Sequence, residues 1–380
     1  MHILISPNAF KYSVDAEDAA LAIQKGLMKS KLKFTCECFP IGDGGDGTAI
    51  LIIKRCGGEL VNSRVQDPLG REIDCEYGLI NEGETAVIEM ANASGIRLLK
   101  SNELDPLHAT SFGTGEQIKM ALDKGVKRII IGMGGSATVD GGTGILQALG
   151  IRFLKADGKE LLDLPKDLIR LASIDLSGVD DRIKKCEVIV LCDVDNKLLG
   201  NKGAAAIFGP QKGATNDDVI KLNNALGVFA QVAFAQTGKD ISLMKYGGTA
   251  GGAAAGLYAF LNATIINGID YFLEITNFDT ALAKADVVIT AEGSIDEQTL
   301  QGKGPFGVAK YAKNKNLPVI AMAGKVPIKA NANLHKYFDV LLPIAHQPFD
   351  LPTAIANTAS NLTRTAHELG NVLALIHKNI

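Results

Sequence analysis

The chain runs to 380 residues, too many for one ordinary core, and 47% of them are hydrophobic, so two well-filled domains are expected. A formal net charge of −3 gives no electrostatic ground for nucleic acid or an anionic membrane as partner. No apolar run is long and uninterrupted enough to span a bilayer, the opening MHILIS has no basic leader, and the 6 cysteines form no C-x-x-C pair. Free thiols in a reducing cytosol, no zinc and a soluble cytoplasmic protein are the expectations.

The chain opens β-α-β-α. His2–Ile5 reads as a strand, and Asp15 stands ready to cap a helix with Ala19, Ala20, Ile23 and Leu27 on one face. Thr35–Ile41 reads as a second strand, followed by the turn Asp43-Gly-Gly-Asp-Gly47 and a helix that Gly57-Gly58 ends. The texture then changes to short strands at Val61–Val65, Glu72–Leu79 and Thr85–Met90, separated by turn signals. A helix near Gly115–Lys124 leads to a strand at Arg128–Met133, a second turn Asp140-Gly-Gly-Thr-Gly144, and a helix at Ile145–Leu149. Regular alternation returns with strands at Asp286–Thr290, Pro318–Ala323 and Asp339–Ile344 and a helix at Pro305–Lys313. The last helix is marked by Ile355, Ala359, Leu362, Ala366, Leu369, Leu373 and Ile376. The pattern predicts a doubly wound α/β domain made from residues 1–60 and 281–380, with a second, mixed-sheet α/β domain inserted at 61–280.

The two glycine turns raise the question of function. Gly42-x-Gly44-x-x-Gly47 and Gly132-x-Gly134-x-x-Ala137 both match the dinucleotide fingerprint, so an NAD(P) oxidoreductase is one reading. Asp43 and Asp46 would set carboxylates against a pyrophosphate, so the first turn, with Gly44 and Gly45, better suits a metal, a substrate hydroxyl or a metal-neutralised phosphate. Gly134, Gly135, Ser136 and Thr138 offer N–H groups and hydroxyls for phosphate, with Asp140 further on.

Three more segments carry polar residues where apolar ones would serve structure better. An apolar strand at Val188–Leu191 ends in Asp193, Asp195 and Asn196, and Gln211 and Lys212 lie in a Gly/Pro-framed turn. The strand before Glu292 runs into Asp296, Gln298, Thr299 and Lys303. Ser6, Phe10 and Lys11 follow the first strand, at the sheet end where open α/β folds bind ligands. Acids suited to Mg²⁺, a glycine cradle and lysines are the equipment of phosphoryl transfer. There is no P-loop, no H-E-x-x-H and no G-x-S-x-G elbow, which sets aside P-loop NTPases, zincins and serine hydrolases.

Read together, PNAFK at Pro7–Lys11, DGGDGT at Asp43–Thr48, AVIEMA at Ala86–Ala91, FGTGE at Phe112–Glu116, GGSATVDGGTGILQALG at Gly134–Gly150, CDVDN at Cys192–Asn196, FGPQKGA at Phe208–Ala214 and VITAEGSIDEQTLQGK at Val288–Lys303 resemble the bacterial glycerate kinase family. The resemblance runs nearly end to end. It implies a flavodoxin-like domain with an inserted α/β domain and ATP- and Mg²⁺-dependent phosphorylation of D-glycerate to 2-phosphoglycerate. The glycerate is expected in the interdomain cleft. The expected partners are small molecules, in a monomer or homodimer.

The expected roles are Asp193, then Asp296, as the base, with Lys11 beside them. Asp193, Glu292 and Asp296 are the expected metal ligands. Ser6, Phe10, Asp43, Gly44, Gly45, Asp46, Gly134, Gly135, Ser136, Thr138, Asp140, Asn196, Gln211, Lys212, Gln298, Thr299 and Lys303 are expected to hold substrate and nucleotide. The two DGG turns are expected as opposite jaws, one per domain. Asn8, Ala9, Tyr12, Asp46, Val139 and Ser294 depart from the family's usual residues. The rivals are 3-phosphorylation, another small hydroxy acid as acceptor, and a non-catalytic nucleotide-binding regulator.

Overall fold

The structure is a computed structural model that describes residues 1–329, 332–348 and 350–377. The strands are, in chain order, β1 (His2–Pro7), β2 (Thr35–Cys38), β3 (Glu59–Gln66), β4 (Glu72–Ile80), β5 (Thr85–Glu89), β6 (Arg128–Gly132), β7 (Arg152–Leu154), β8 (Ser173–Asp175), β9 (Glu187–Cys192), β10 (Thr264–Asn267), β11 (Val287–Ser294), β12 (Val319–Lys325) and β13 (Val340–Pro343). The chain forms two compact units, one of Met1–Asp43 with the residues from Ile269 onward, the other of Gly44–Gly268.

The first unit holds a parallel sheet in the order β13-β12-β11-β1-β2. Counted within the unit this is 2-1-3-4-5, the flavodoxin-like order, with its topological switch point between β1 and β11. Alternate residues Ile3, Ile5, Ile289, Ala291, Ile320 and Met322 face one core, closed by Ala19, Ile23 and Leu27 of the helix Ala16–Met28 and by Leu362, Ala366 and Leu369 of the helix Thr358–His377. The helix Gly304–Asn314 packs on the strands as well, burying Val308, Ala309 and Ala312.

The second unit holds a mixed sheet, β10-β9-β6-β5-β4-β3, in which β5, β6, β9 and β10 are parallel and β3 and β4 antiparallel. One face of it, with Ala86, Ile88, Ile129, Ile131, Val188 and Val190, packs on the helices Phe112–Asp123, Thr143–Ala148, Asn216–Thr237 and Ala253–Leu261. The helix Thr48–Arg55 also lies on this sheet, its Ile53 filling the space that Gly78 leaves free. Among the described residues no helix is long and apolar enough to cross a membrane. No disulfide joins any of the 6 cysteines.

Two local expectations differ from the structure. The final helix is broken at Asn357, because Asp350 and Pro352 start a separate short helix, Leu351–Ala356. The 22-residue helix Asn216–Thr237 lies where no helix was read, although the Thr215/Asp218 capping box and Gly238 mark both its ends.

The helix pair of the first unit crosses at a glycine. A β-carbon on Gly26 would lie 2.2 Å from the Thr363 carbonyl oxygen and 2.7 Å from Ala366 Cβ. Gly26→Ala is therefore expected to destabilise the protein by about 2 kcal/mol through overpacking. Urea denaturation checks this as a lowered midpoint.

Candidate functional site

The carboxyl ends of β1 and β11 flank the switch point of the parallel sheet. Thr290, in β11, donates its hydroxyl to the Ser6 carbonyl at 2.8 Å, locking the two strands together. Ser6 is buried, and its Oγ has no hydrogen-bond partner among the described residues. Asn8 donates Nδ2 to Asp43 Oδ2 at 2.8 Å, and the same oxygen accepts the Gly304 N–H at 3.2 Å. An aspartate at position 8 would face Asp43 with a like charge, so the departure to Asn8 supplies a donor there.

Glu292 is 9% exposed, its Oε1 lies 3.9 Å from Lys303 Nζ, and its Oε2 has no hydrogen-bond partner among the described residues. Burial pushes its carboxyl up to about 7; Asp43 and Asp296 add to the rise, while Lys303 and Lys11 oppose it. Asp296 caps the short turn Glu297–Gln301 by accepting the Gln298 N–H at 2.9 Å. The unit thus gathers Ser6, Lys11, Asp43, Glu292, Asp296 and Lys303 at one end of its sheet.

In the mixed-sheet unit a second polar cluster forms at the carboxyl ends of β5, β6 and β9. The turn Gly44–Gly47 lies against the end of β9, where a β-carbon on Gly44 would come 3.0 Å from the Leu191 carbonyl. Gly134 N–H donates to the Gly44 carbonyl at 3.0 Å, and a β-carbon on Gly134 would lie 2.4 Å from Gly45 Cα. The turn Gly44–Gly47 and the turn that follows β6 are therefore packed backbone to backbone within one unit. Of the two DGG turns, Gly44–Gly47 and Asp140–Gly144 fall in that unit and Asp43 alone in the other, which corrects the expectation of one jaw per domain.

Several other expected site residues have partners within the chain. Asp140 is fully buried and accepts four bonds, from Ser111 N–H (2.9 Å) and Oγ (2.6 Å), Gly142 N–H (3.0 Å) and Gly144 N–H (3.2 Å), so it anchors its own turn. The cradle Gly134–Thr138 has already committed two N–H groups, Gly134 to Gly44 and Ala137 to Ser94. Phe10 is part of the apolar core. Thr299 is buried and accepts the Asp296 N–H at 3.1 Å, closing a capping box. Asn196 donates to the Lys202 carbonyl at 3.0 Å, whereas Gln211 and Gln298 are exposed. Gly135 is the exposed residue of its turn, and Asp193 follows directly on β9, half-buried.

Lys212 is only 3% exposed and donates Nζ to Ser136 Oγ at 2.8 Å and to the Thr138 carbonyl at 2.7 Å. Burial pushes its ammonium down to about 7, opposed by Asp140. Thr138 Oγ1 is buried without a partner among the described residues. Sequence reasoning missed Glu89, which caps the helix Thr48–Arg55 from β5, and Arg97, which pairs with Asp46 at 2.7 Å. Both act across distances in sequence that leave no local pattern.

No three His, Cys, Asp or Glu side chains converge as a metal-holding set among the described residues. Mg²⁺ needs only one or two carboxylates when phosphates and water complete its shell, and the unpartnered oxygen of Glu292 fits that demand.

A family profile described as the glycerate kinase family matches residues 3–374. The chain belongs to the glycerate kinase family. It is 42% identical to the glycerate kinase of Halalkalibacterium halodurans, covering 97% of each chain. It is 38% identical to the glycerate 2-kinase of Escherichia coli over the whole of both chains. It also superposes on a crystal structure described as a glycerate kinase 2 from Salmonella typhimurium LT2, with a TM-score of 0.83, 40% identity, and coverage of 100% of this chain and 99% of that one. The sheet arrangement described above is therefore that of the family, and the chain is a kinase.

The raised Glu292 pKa makes a stability prediction for this family member. The unfolded carboxyl ionises near its ordinary value of 4.5, the folded one only near 7, so the native state binds the extra proton between them. Stability must then fall as pH rises through that window and level off above it. Glu292→Gln removes the titration, so its stability relative to the wild type should grow by roughly 2–3 kcal/mol from pH 4.5 to 7. Denaturant melts across this range check the sign.

Proposed function

We propose that this chain transfers the γ-phosphoryl group of ATP to the 2-hydroxyl of D-glycerate, giving 2-phosphoglycerate and ADP. The observation that carries the reading is the buried Glu292 with its unpartnered oxygen, set beside Lys303 at the switch point of the parallel sheet. A doubly wound sheet binds its ligand at that point, and a carboxylate left over there after the chain's own bonds are counted is free for a ligand. The family relatives named for glycerate support the acceptor.

Lys11 and Lys303 hold the phosphate or substrate carboxylate through charge-assisted hydrogen bonds. Asp193, or secondarily Asp296, accepts the proton of the glycerate hydroxyl. In a loose transition state its main task is to orient that hydroxyl. Glu292, with Asp296 or Asp193, would hold Mg²⁺, which neutralises phosphate charge when bound. We place the enzyme in the cytoplasm, where its free thiols stay reduced.

The test is ³¹P NMR of the purified protein with ATP, Mg²⁺ and D-glycerate, against an EDTA control. A phosphomonoester signal of 2-phosphoglycerate is expected; 3-phosphoglycerate would overturn the regiochemistry, and no product from glycerate would overturn the acceptor. Asp193→Asn and Asp296→Asn are each expected to lower kcat by about 10²-fold or more while the protein remains folded. Near-wild-type turnover in either variant removes that residue from the mechanism.

A further inference from the structure

Glu89 ends β5 and is 3% exposed. Its Oε1 accepts the Gly47 N–H, and its Oε2 accepts the Ala49 N–H at 3.1 Å. These N–H groups open the helix Thr48–Arg55, whose N-cap is Gly47, in the left-handed region with φ 89° and with no side chain to offer. A carboxyl from 40 residues along the chain does the capping instead. The same carboxyl is hydrogen-bonded to the side chain of Asp46 in the turn itself. Asp46 Oδ1 in turn accepts Arg97 Nη1 at 2.7 Å, and Arg97 also donates to Asn92. A cavity of about 240 Å³ adjoins the group, lined by Gly47, Glu76, Tyr77, Glu89, Asn92 and Arg97 among others. The titratable and charged groups facing Glu89 are therefore Asp46 from the turn, Arg97 from the segment after β5, and Glu76 and Tyr77 from β4.

We propose that Glu89 is the positioning residue of the Gly44–Gly47 turn: clamped on two backbone N–H groups and on Asp46, it fixes the direction in which the turn presents Gly45 and Asp46 to the substrate. The inference rests on the proposed function, in which that turn meets substrate or nucleotide. Two hydrogen-bonded carboxyls need one proton between them. Burial holds that proton on Glu89, pushing its carboxyl up to about 8, with Asp46 adding to the rise and the two backbone N–H groups opposing it. Asp46 is half-exposed and paired with Arg97. Above that pH Glu89 loses its proton, and with it the donor to Asp46, and the turn is released.

The experiment combines steady-state kinetics with hydrogen exchange at the Gly47 and Ala49 amides. Glu89→Ala is expected to raise exchange at both amides and to lower kcat by about ten-fold or more, with KM for ATP and glycerate changed by less than about three-fold. Glu89→Gln still donates to Asp46 but has lost one acceptor and its titration. It should retain more activity and lack the alkaline decline expected of the wild type above pH 8. It also carries the test if the alanine variant does not fold.

Unchanged amide exchange in both variants, or a wild-type alkaline decline in Glu89→Gln, overturns the proposal. So does raised exchange with unchanged kcat, since the clamp would then have no part in turnover. Failure of the proposed function itself looks different: the wild type then makes no phosphoglycerate, while the exchange response to Glu89→Ala is still measurable.

Discussion

A β-carbon on Gly134 would lie 2.4 Å from Gly45 Cα, a distance no side chain can take up by changing rotamer, because the neighbour is backbone. The polar edge of the mixed sheet depends on this approach. It lets Gly134 N–H reach the Gly44 carbonyl, and so brings the turn after residue 43 onto the turn that follows β6. Gly44 makes a similar approach to the end of β9. One turn is thereby tied to two parallel strand ends, and Asp46 is delivered to the same sheet edge as Ser136 and Asp193. The repeated glycines serve close packing of two chain segments, for which a bare backbone is the requirement on both sides.

Around that edge, and at the switch point of the parallel sheet, the chain buries charges against their solvation. Glu292, Glu89 and Lys212 all have ionisation shifted toward the neutral form by burial. Such groups concentrate at functional sites, but structural networks produce them too. Their hydrogen bonds separate the cases. Lys212 donates to Ser136 and Thr138, and Glu89 accepts from Gly47 and Ala49, so both act on turn backbone or turn hydroxyls. Glu292 keeps an oxygen that no group of the described chain meets. A buried carboxylate oxygen without a donor costs on the order of 1–3 kcal/mol or more. That cost is intelligible where a ligand supplies the missing partner.

Much of the fold was legible in the sequence because its signals are local. Asp15 before a 3-4 spaced apolar face gave the first helix, and it does cap that helix, accepting the Asp18 N–H at 2.7 Å. Apolar runs ending in polar turns gave the parallel strands, and the change to short alternating strands marked the mixed sheet. The helix Asn216–Thr237 was missed although its cap and stop are equally local, since its mean pattern is weakly amphipathic and Ala-rich. The site was legible as a set of segments but not as a set of roles. Whether an aspartate serves a ligand or its own chain depends on donors such as Ser111, 29 residues away from Asp140, and no spacing rule reports those. Glu89 escaped for the same reason. In sequence it is one residue of a buried strand, and its partners lie in a turn some forty positions earlier.

The two DGG turns carry one more consequence. Their leading acids look alike in sequence, and both are tied to helix starts by their own chain: Asp140 to the N–H groups of Gly142 and Gly144, Asp43 to the N–H of Gly304 and the amide of Asn8. Negative charge at a helix start is stabilising, and each of these bonds fixes the carboxylate against its own chain. That is the right condition for holding a turn rigid. Asp193 after β9, and Glu292 and Asp296 on and after β11, lie at strand ends outside these turns. The leading acids of the two most recognisable turns in the sequence thus serve the frame of their own chain.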